Sequence, residues 1–202
     1  FGVGIRTVFI DKKKNLATYG VGGGIVWDSK ANEEYDEALC KARIITGTTP
    51  AFELLETMLW IPEQGCVLLE RHLDRMEASA HYWSFAFDRQ RILEAIERTV
   101  TESEAVPQRV RVTLAKKGVV TVTASLFQKA SVPLRLAFSQ FHVDSSDPFL
   151  FHKTTHRLTY DRARAELREY DDVVLWNEHG EVTETAIGNL VFVIGDQKLT
   201  PG

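Results

Sequence analysis

The chain has 202 residues, a formal net charge of −4, 44% hydrophobic residues and 26% charged residues. This length suits one large domain or two small ones, and the apolar fraction is sufficient to build a core. Because no basic surplus is present to meet phosphates, the charge argues against a nucleic-acid-binding protein, although a small anionic substrate needs only a local cluster of Arg and Lys.

Cysteine usage and hydropathy indicate the cellular compartment. Cys40 and Cys66 are too few and too far apart for a metal knuckle or a redox pair, so a reducing cytoplasm is the simplest interpretation. No apolar run approaches the length of a membrane span. We expect no signal peptide, because the first residues, Phe1 to Ile10, already alternate like a strand.

The first segment of the chain runs to about Thr46. Its alternation predicts a strand over Val3–Ile10, followed by a turn and a second strand-like apolar run over Leu16–Trp27. Apolar residues at helical spacing predict a helix over Asn32–Thr46. The GTTP sequence at 47–50 breaks this pattern and marks the first boundary.

The second segment mixes strands and helices. A strand is predicted over Phe52–Trp60, and amphipathic helices over Glu70–Phe85 and Asp88–Ser103, the latter capped by Asp88. Within the first of these helices four residues are expected to face inward, namely Leu73, Met76, Ala80 and Trp83. The runs Arg109–Ala115 and Val119–Phe127, joined by a KKG turn, predict a hairpin.

The third segment begins near Ser131 with the strand-like sequence PLRLAFS. The sequence FLFHKTTH then leads into a helix predicted over Arg157–Tyr170, and strands are predicted over Asp172–Asn177 and at the end of Glu181–Ile194. Because several strands are linked as hairpins and helices lie between them, the pattern indicates an α+β or mixed α/β fold rather than a doubly wound sheet.

The glycine-rich run Gly20–Gly24 could suggest a dinucleotide-binding loop. That motif requires a following helix, whereas the strand-like IVW follows here, so the run is interpreted as a bend that lets backbone approach backbone or a ligand. The sequence shows no Walker loop, no zinc spacing of histidines and no Ser or Cys nucleophile motif.

Lys153 and Glu184 are candidate functional residues. Most lysines are solvated surface charges, but Lys153 follows the apolar FLF and precedes an amphipathic helix, a context that can desolvate an amine and make it a nucleophile or base. Glu184 could equally be an exposed carboxylate at a strand end. The Gly188–Asn189 turn after it could present backbone N–H groups to an anion.

Two pairs of arginines are candidates for anion binding. Arg71 and Arg75 are four residues apart on one helical face. Arg109 and Arg111 point the same way from a strand, because side chains alternate along it. The alternative interpretation of both pairs is a solvated cationic surface.

Four motifs follow one another in the chain, namely LLERHLDRMEASA, RVRVTL, HKTTHRLTYDRARAE and EVTETAIGNLVFV. In their order and spacing they resemble class IV (fold-type IV) pyridoxal-phosphate (PLP) enzymes, and the resemblance extends from about Phe52 to Gly202. The family includes branched-chain aminotransferases, D-amino-acid aminotransferases and 4-amino-4-deoxychorismate lyases. The resemblance implies two lobes with PLP between them, here residues 47–130 and 131–202, and a homodimer. Family members continue beyond the LTP motif, so we expect the second lobe to be incomplete.

The resemblance also implies roles for individual residues. Lys153 corresponds to the lysine that forms a Schiff base with PLP, and Arg75 to the arginine that binds the cofactor phosphate. Glu184 corresponds to the carboxylate that pairs with the pyridine nitrogen and keeps it protonated. Thr185–Asn189 corresponds to the loop that lines the cofactor, and Arg111 is a candidate for binding a substrate carboxylate.

Within residues 1–46 three further sequences occur, namely GIRTVFI, YGVGGGIVWDS and EEYDEALCKARIIT. They resemble a different family, the C-terminal end of the chorismate-utilising domain of para-aminobenzoate synthase component I. The resemblance implies that Arg6, the Gly23–Gly24 backbone and Lys41 face chorismate. It implies that Glu37 binds Mg²⁺ in an intact domain of that kind. Most of that domain is missing here, so these residues cannot make a site alone. A glutamine amidotransferase is an expected partner of such a synthase.

The order of the two resemblances indicates a function. A synthase tail followed by a class IV module resembles bifunctional para-aminobenzoate synthases, so we expect a lyase that splits 4-amino-4-deoxychorismate into 4-aminobenzoate and pyruvate in folate biosynthesis. Three alternatives stay open: an aminotransferase acting on branched-chain or D-amino acids, an inactive fragment or interaction module, and a magnesium-dependent chorismate enzyme.

Overall fold

The computed structural model describes residues 7–46, 50–102, 104–129 and 133–201. The chain divides into two compact units, Phe1–Pro50 and Ala51–Gly202. The finer limits proposed from the sequence, at 46/47 and at 130/131, stay predictions. None of the described helices is both long enough and apolar enough to cross a membrane.

The first unit contains a hairpin and a helix. Strand β1, Val8–Asp11, pairs antiparallel with β2, Leu16–Tyr19, and helix α1 spans Ala31–Thr46. The predicted strand-like run to Trp27 is wrong beyond Tyr19, because residues 20–26 have no regular structure. Glycine is a poor strand former, since it has no side chain to pack and loses the most backbone freedom on folding.

The second unit is built on two sheets and a hairpin. The strands are β3 Leu54–Ile61, β4 Gly65–Cys66, β5 Gln108–Leu114, β6 Val120–Leu126, β7 Leu136–Phe138, β8 Asp172–Trp176, β9 Val182–Thr185, β10 Phe192–Ile194 and β11 Gln197–Leu199. The helices are α2 Leu69–Trp83, α3 Arg89–Thr101, α4 Pro148–Phe151 and α5 Leu158–Glu166. The sheets have the orders β4-β3-β5-β6 and β7-β8-β9, and only the β7–β8 pair among these is parallel.

The first sheet has one buried face, as the alternation of β5 predicted. Val110, Val112 and Leu114 are buried, whereas Arg109 and Arg111, which alternate with them, are exposed on the other face. Helix α2 packs on the buried face through three of the residues expected to face inward, Leu73, Met76 and Ala80, while the fourth, Trp83, is partly buried. The predicted cap of α3 is confirmed, since the carboxylate of Asp88 accepts a hydrogen bond from the Arg91 N–H.

The second sheet contributes a separate core. Val173 and Leu175 of β8 are buried with Val143 and with Ala163 of α5. The helix predicted over Arg157–Tyr170 is correct in type but ends at Glu166, where Leu167 leaves helical backbone geometry. The burial of Asp172–Leu175 shows that β8 is covered on both faces. Its residues also hold the turn after β9, because the Ala186 N–H donates to the Val173 carbonyl at 3.0 Å.

Candidate active site

A cavity of about 140 Å³ brings together most of the candidate residues. Its walls come from α2, from the segment 149–160 and from the end of β9 with the turn that follows. The candidates that line it are Arg75, Lys153, Glu184, Thr185, Ile187 and Asn189. Residues more than a hundred positions apart in sequence therefore share one site.

Lys153 is held at the edge of the first sheet by its own backbone. The Leu55 N–H donates to the Lys153 carbonyl at 3.0 Å, and the Thr155 N–H donates to the Glu53 carbonyl at 2.9 Å. The Thr155 hydroxyl also accepts from the Glu53 N–H at 2.9 Å. These bonds attach the segment after α4 to β3, so the lysine is anchored although it lies outside any helix or strand.

The amine of Lys153 is chemically activated by its surroundings. Burial lowers the pKa of Lys153, and the positive charges of Arg75 and Arg157 lower it further. The carboxylates of Glu56 and Glu184 act in the opposite direction but have smaller effects than burial. A larger fraction of neutral amine is consequently present near neutral pH than for a solvated lysine, as a nucleophile or base requires.

Arg75 is oriented by a buried carboxylate. Its Nε donates to Glu56 Oε1 at 2.7 Å and its Nη2 donates to Glu56 Oε2 at 2.5 Å, while His72 Nδ1 lies 2.7 Å from the same Oε2. Glu56 is 1% exposed, whereas the side chain of Arg75 is 48% exposed and lines the cavity. A guanidinium has five N–H donors in a fixed fork, so this bidentate pair leaves donors for a ligand.

Glu184 is bound by a tyrosine from α5. The Tyr160 hydroxyl donates to Glu184 Oε1 at 2.7 Å, and the guanidinium carbon of Arg157 lies 4.4 Å from the centre of the Tyr160 ring. Arg157 also donates to the Ala186 carbonyl. Burial and the hydrogen bond to Glu184 raise the pKa of Tyr160, so the tyrosine stays a hydrogen-bond donor throughout the physiological pH range.

The turn after Glu184 is closed by its own hydrogen bonds. The Gly188 N–H donates to Thr185 Oγ1 at 2.8 Å, and the Thr185 N–H donates to the Gly188 carbonyl at 3.0 Å. The Ile187 N–H donates to Asp172 Oδ2 at 3.1 Å. Gly188 itself does not line the cavity, and its role is to close the turn that presents Thr185, Ile187 and Asn189.

A second, larger cavity of about 390 Å³ adjoins Lys153 and is strongly cationic. Arg111, the candidate for a substrate carboxylate, lines this cavity and not the first one. The other charged residues in its walls are Lys153, Arg109, Arg157, Arg164 and Asp161. Within the described ranges Arg109, Arg111 and Arg164 form no ion pair, so a surplus of positive charge faces this space.

The candidate residues of the first unit are only partly brought together. A Cβ atom at Gly23 would lie 3.6 Å from Lys41 Nζ and 3.8 Å from Glu37 Oε1, and Lys41 Nζ donates to the Gly22 carbonyl at 3.0 Å. Nothing lies within 4 Å of the corresponding position at Gly24. Arg6 falls outside the described residues. No cluster of three or more His, Cys, Asp or Glu side chains that could hold a metal occurs in the part of the chain that is described.

Comparison with protein families agrees with the division of the chain into two units. The model of the family described as "Amino-transferase class IV" matches residues 53–202. The chain belongs to the class IV aminotransferase family. A second model, described as "chorismate binding enzyme", matches residues 1–47. The class IV match covers both the sheet that bears Arg111 and the segments that bear Lys153 and Glu184, and membership of this family implies PLP as cofactor.

Individual relatives of this class IV chain point to more than one activity. A protein of Schizosaccharomyces pombe named "Putative aminodeoxychorismate lyase" is 33% identical over 155 residues, which are 73% of this chain and 65% of the relative. The crystal structure of a "Putative amino-acid aminotransferase" from Mesorhizobium loti is 35% identical with a TM-score of 0.70, covering 75% of each chain. The chain therefore spans about two thirds of the length of the yeast relative.

The fold predicted for this class IV chain is confirmed by a more distant structure. A protein of Legionella pneumophila named "Putative 4-amino-4-deoxychorismate lyase" has a TM-score of 0.67 at 18% identity, covering 79% of this chain and 63% of that one. At this identity the likeness concerns the fold alone. It agrees with the mixture of helices and of parallel and antiparallel strands described above.

Sequence reasoning missed three residues of the class IV site: Glu56, Arg157 and Tyr160. Arg157 and Tyr160 follow Lys153 by four and seven positions, but Lys153 lies outside α5, so no periodic pattern relates these two residues to the lysine. Glu56 alternates with Leu54 and Met58 on the buried face of β3. A carboxylate at a core position of an otherwise apolar strand was a visible anomaly, because buried charges require partners.

Proposed function

We propose that the chain binds PLP in the 140 Å³ cavity and contributes to a lyase that splits 4-amino-4-deoxychorismate into 4-aminobenzoate and pyruvate. The observation that carries this choice is the pairing of a chorismate-binding segment and a class IV segment in one chain. Every atom of the substrate is retained in the two products, so the reaction needs no additional reactant.

The residues present fit PLP. A half-buried amine with a lowered pKa, a carboxylate and the guanidinium of Arg75 line one cavity, and these groups suit an aldehyde, a pyridine nitrogen and a phosphate respectively. Lys153 would hold the cofactor covalently, Glu184 would bind the pyridine nitrogen, and Arg75 would bind the phosphate. Thr185, Ile187 and Asn189 would line the ring. Bound PLP supplies an electron sink for the substrate carbon attached to the amine.

The chain's own groups account for the remaining chemistry. Lys153 Nζ removes the proton from the ring carbon that bears the substrate amine, because burial keeps part of this lysine neutral. Tyr160 fixes one oxygen of Glu184 by donating its hydroxyl proton. The bond between the ring and the enolpyruvyl oxygen then breaks, and the departing enolate takes up a proton to become pyruvate. The remaining ring is aromatic, and aromatisation favours the product.

The cationic cavity supports a substrate with two carboxylates. 4-Amino-4-deoxychorismate carries one carboxylate on the ring and one on the enolpyruvyl group, and Arg109, Arg111, Arg157 and Arg164 surround the space next to Lys153. Four arginines against the single carboxylate of Asp161 exceed what a branched-chain amino acid, with one carboxylate and an apolar side chain, would need. Arg111 would bind one of the two carboxylates.

An aminotransferase is the second candidate, and it is favoured by the likeness to the Mesorhizobium loti protein, which is 35% identical. The same cofactor groups serve both reactions, so the residues of the first cavity do not separate them. The dicarboxylate acceptor 2-oxoglutarate would also suit the cationic second cavity, so the chorismate-binding segment is the feature that favours the lyase.

The decisive experiment supplies PLP and 4-amino-4-deoxychorismate and measures pyruvate and 4-aminobenzoate, in parallel with amino transfer from leucine and D-alanine to 2-oxoglutarate. We expect both products in equal amounts from the parent and neither from Lys153→Ala. Lys117→Ala, at the exposed β5–β6 turn, is the matched control. Amino transfer without pyruvate would replace the lyase with the second candidate. The absence of both activities, with no PLP bound, would favour an inactive fragment.

The assembly and location of the protein are also proposals. We propose a homodimer, by resemblance to class IV enzymes, and a glutamine amidotransferase as partner of the chorismate-binding part, with Mg²⁺ held by Glu37 in an intact domain of that kind. Cysteine usage supports the cytoplasm. Light scattering of the purified protein measures its oligomeric state, and a monomer at micromolar concentration would contradict the proposed homodimer.

A further inference from the structure

We propose that Glu56 is a positioning residue that sets the guanidinium of Arg75 for binding the cofactor phosphate. The proposal rests on PLP binding as proposed above and adds a residue outside the group that would touch the cofactor. Glu56 lies on β3, whereas Arg75 lies on α2 and lines the cavity.

A carboxylate is energetically unfavourable at the buried position of Glu56. It is 1% exposed and lies between Leu54 and Met58, the neighbouring residues on the same buried face of the strand. An isolated buried carboxylate is strongly disfavoured, and replacing a buried ion pair with apolar residues is often neutral or stabilising. A leucine here would continue the apolar pattern, so stability alone does not explain a glutamate at this position.

The contacts of Glu56 fix the orientation of Arg75. Both carboxylate oxygens are used, Oε1 by Arg75 Nε at 2.7 Å and Oε2 by Arg75 Nη2 at 2.5 Å, with His72 Nδ1 at 2.7 Å from Oε2 as a third partner. Because the guanidinium is planar, two bonds to one carboxylate fix its plane as well as its position. Nη1 is the terminal nitrogen that Glu56 leaves available.

If Glu56 positions Arg75, its removal should weaken only ligands that carry a phosphate, whereas a packing role would affect all ligands of the cavity alike. An arginine that must order itself on ligand binding loses rotamer freedom, whereas one that is held in place does not. The benefit of Glu56 is therefore expected for ligands with a phosphate and not for the same ring without one. PLP and pyridoxal, which lacks the phosphate, form the required pair of probes.

Glu56 also has an electrostatic effect on Lys153. The positive charge of Arg75 lowers the pKa of Lys153 and the negative charge of Glu56 raises it, alongside contributions from Arg157 and Glu184 and a larger one from burial. Removing the charge of Glu56 should therefore lower the pKa of Lys153 in the protein without cofactor. This readout does not depend on PLP.

The test compares Glu56→Gln with Glu97→Gln, which removes the same charge from an exposed side chain of α3 that lines neither cavity. For Glu56→Gln we expect PLP to bind about 10- to 100-fold more weakly, the equivalent of losing a hydrogen bond between charged groups. The affinity for pyridoxal should not fall, because a lower pKa of Lys153 leaves more of its amine neutral. Glu97→Gln should match the parent for both ligands. Equal weakening of PLP and pyridoxal in Glu56→Gln would overturn the proposal.

A second measurement separates failure of this inference from failure of PLP binding. The pH midpoint for acetylation of Lys153, followed by peptide mass spectrometry in the protein without PLP, should fall in Glu56→Gln and stay constant in Glu97→Gln. If the parent does not bind PLP more tightly than pyridoxal, the proposed function fails. If the acetylation midpoint of Lys153 is then also the same in Glu56→Gln as in the parent, the role of Glu56 is overturned as well. Should Glu56→Gln not fold, Glu56→Asp, which shortens the side chain and breaks the bidentate pair, is expected to show the same selective loss of PLP.

Discussion

Replacing Tyr160 with Phe removes a single hydroxyl group from the candidate active site. The hydroxyl donates to Glu184 Oε1 at 2.7 Å, while the ring carries the guanidinium of Arg157 at 4.4 Å from its centre. Phenylalanine keeps the ring and its contact with Arg157. Any change in stability therefore reports on the hydrogen bond to Glu184.

The expected loss follows from the charge and the exposure of the pair. Hydrogen bonds to charged groups contribute about 1.5–3 kcal/mol, and the lower end applies because both side chains are only half-buried. With an m value of about 2 kcal/mol/M in urea, a loss of about 1.5 kcal/mol moves the unfolding midpoint down by about 0.7 M. The m value itself should not change, since the same surface is exposed on unfolding.

The difference between parent and variant should depend on pH. Burial, followed by the bond to Glu184, raises the pKa of Tyr160 in the folded chain, whereas an unfolded tyrosine titrates near about 10. The contribution of Tyr160 to stability is therefore complete below about pH 10 and declines above it, by at most about 1.4 kcal/mol per pH unit. The Phe variant lacks this component, and the other tyrosines are the same in both proteins.

Urea unfolding followed by circular dichroism at pH 7.5, 10 and 11 provides the measurement. The parent should be more stable than Tyr160→Phe at pH 7.5, and this advantage should shrink between pH 10 and pH 11. An equal midpoint at pH 7.5 would refute the energetic role of the hydrogen bond. An advantage that stays constant to pH 11 would show that Tyr160 titrates normally in the folded chain.

Three further predictions concern the second unit. Leu54→Ala, at a fully buried position of β3, should lower the free energy of unfolding by about 2–5 kcal/mol in urea titrations, whereas Leu54→Met should cost less than about 1.5 kcal/mol. Asp88→Ala should lower it by about 1 kcal/mol, because the N–H of Arg91 loses its acceptor, and Asp88→Asn should retain most of the parent's stability. Burial raises the pKa of the Cys66 thiol to about 11. Iodoacetamide at pH 8 should therefore modify Cys66 at least about 100-fold more slowly in the folded than in the unfolded chain, as measured by peptide mass spectrometry. Comparable rates would contradict the burial of this thiol.

Local signals in the sequence were sufficient for most of the second unit. The period of two along Gln108–Leu114 determined which residues of β5 face the core, and the spacing of Leu73, Met76 and Ala80 determined the buried face of α2. These patterns are reliable because a side chain's direction follows from backbone geometry within a few residues. The N-cap of α3 could be predicted for the same reason, because Asp88 contacts a backbone N–H only three residues away.

The sequence also identified the residues that carry the proposed chemistry, through resemblance and not through periodicity. The motifs containing Lys153 and Glu184 indicated the family, which the match over residues 53–202 confirmed. The roles assigned to Lys153, Glu184, Arg75, Arg111 and the turn after Glu184 stay predictions until ligand binding is measured. Local patterns could not have separated any of these residues from solvated surface charges.

Only the tertiary structure decided how those residues are held. The bond between Glu56 and Arg75 joins a strand to a helix, the bond between Tyr160 and Glu184 joins a helix to another strand, and Lys153 is anchored to β3 across about a hundred residues. Partners so far apart in sequence come into contact only when sheets and helices pack, and no periodic pattern in the sequence predicts these contacts. The sequence thus determined which groups are available, while long-range packing determined the partner, burial and charge that each one acquires.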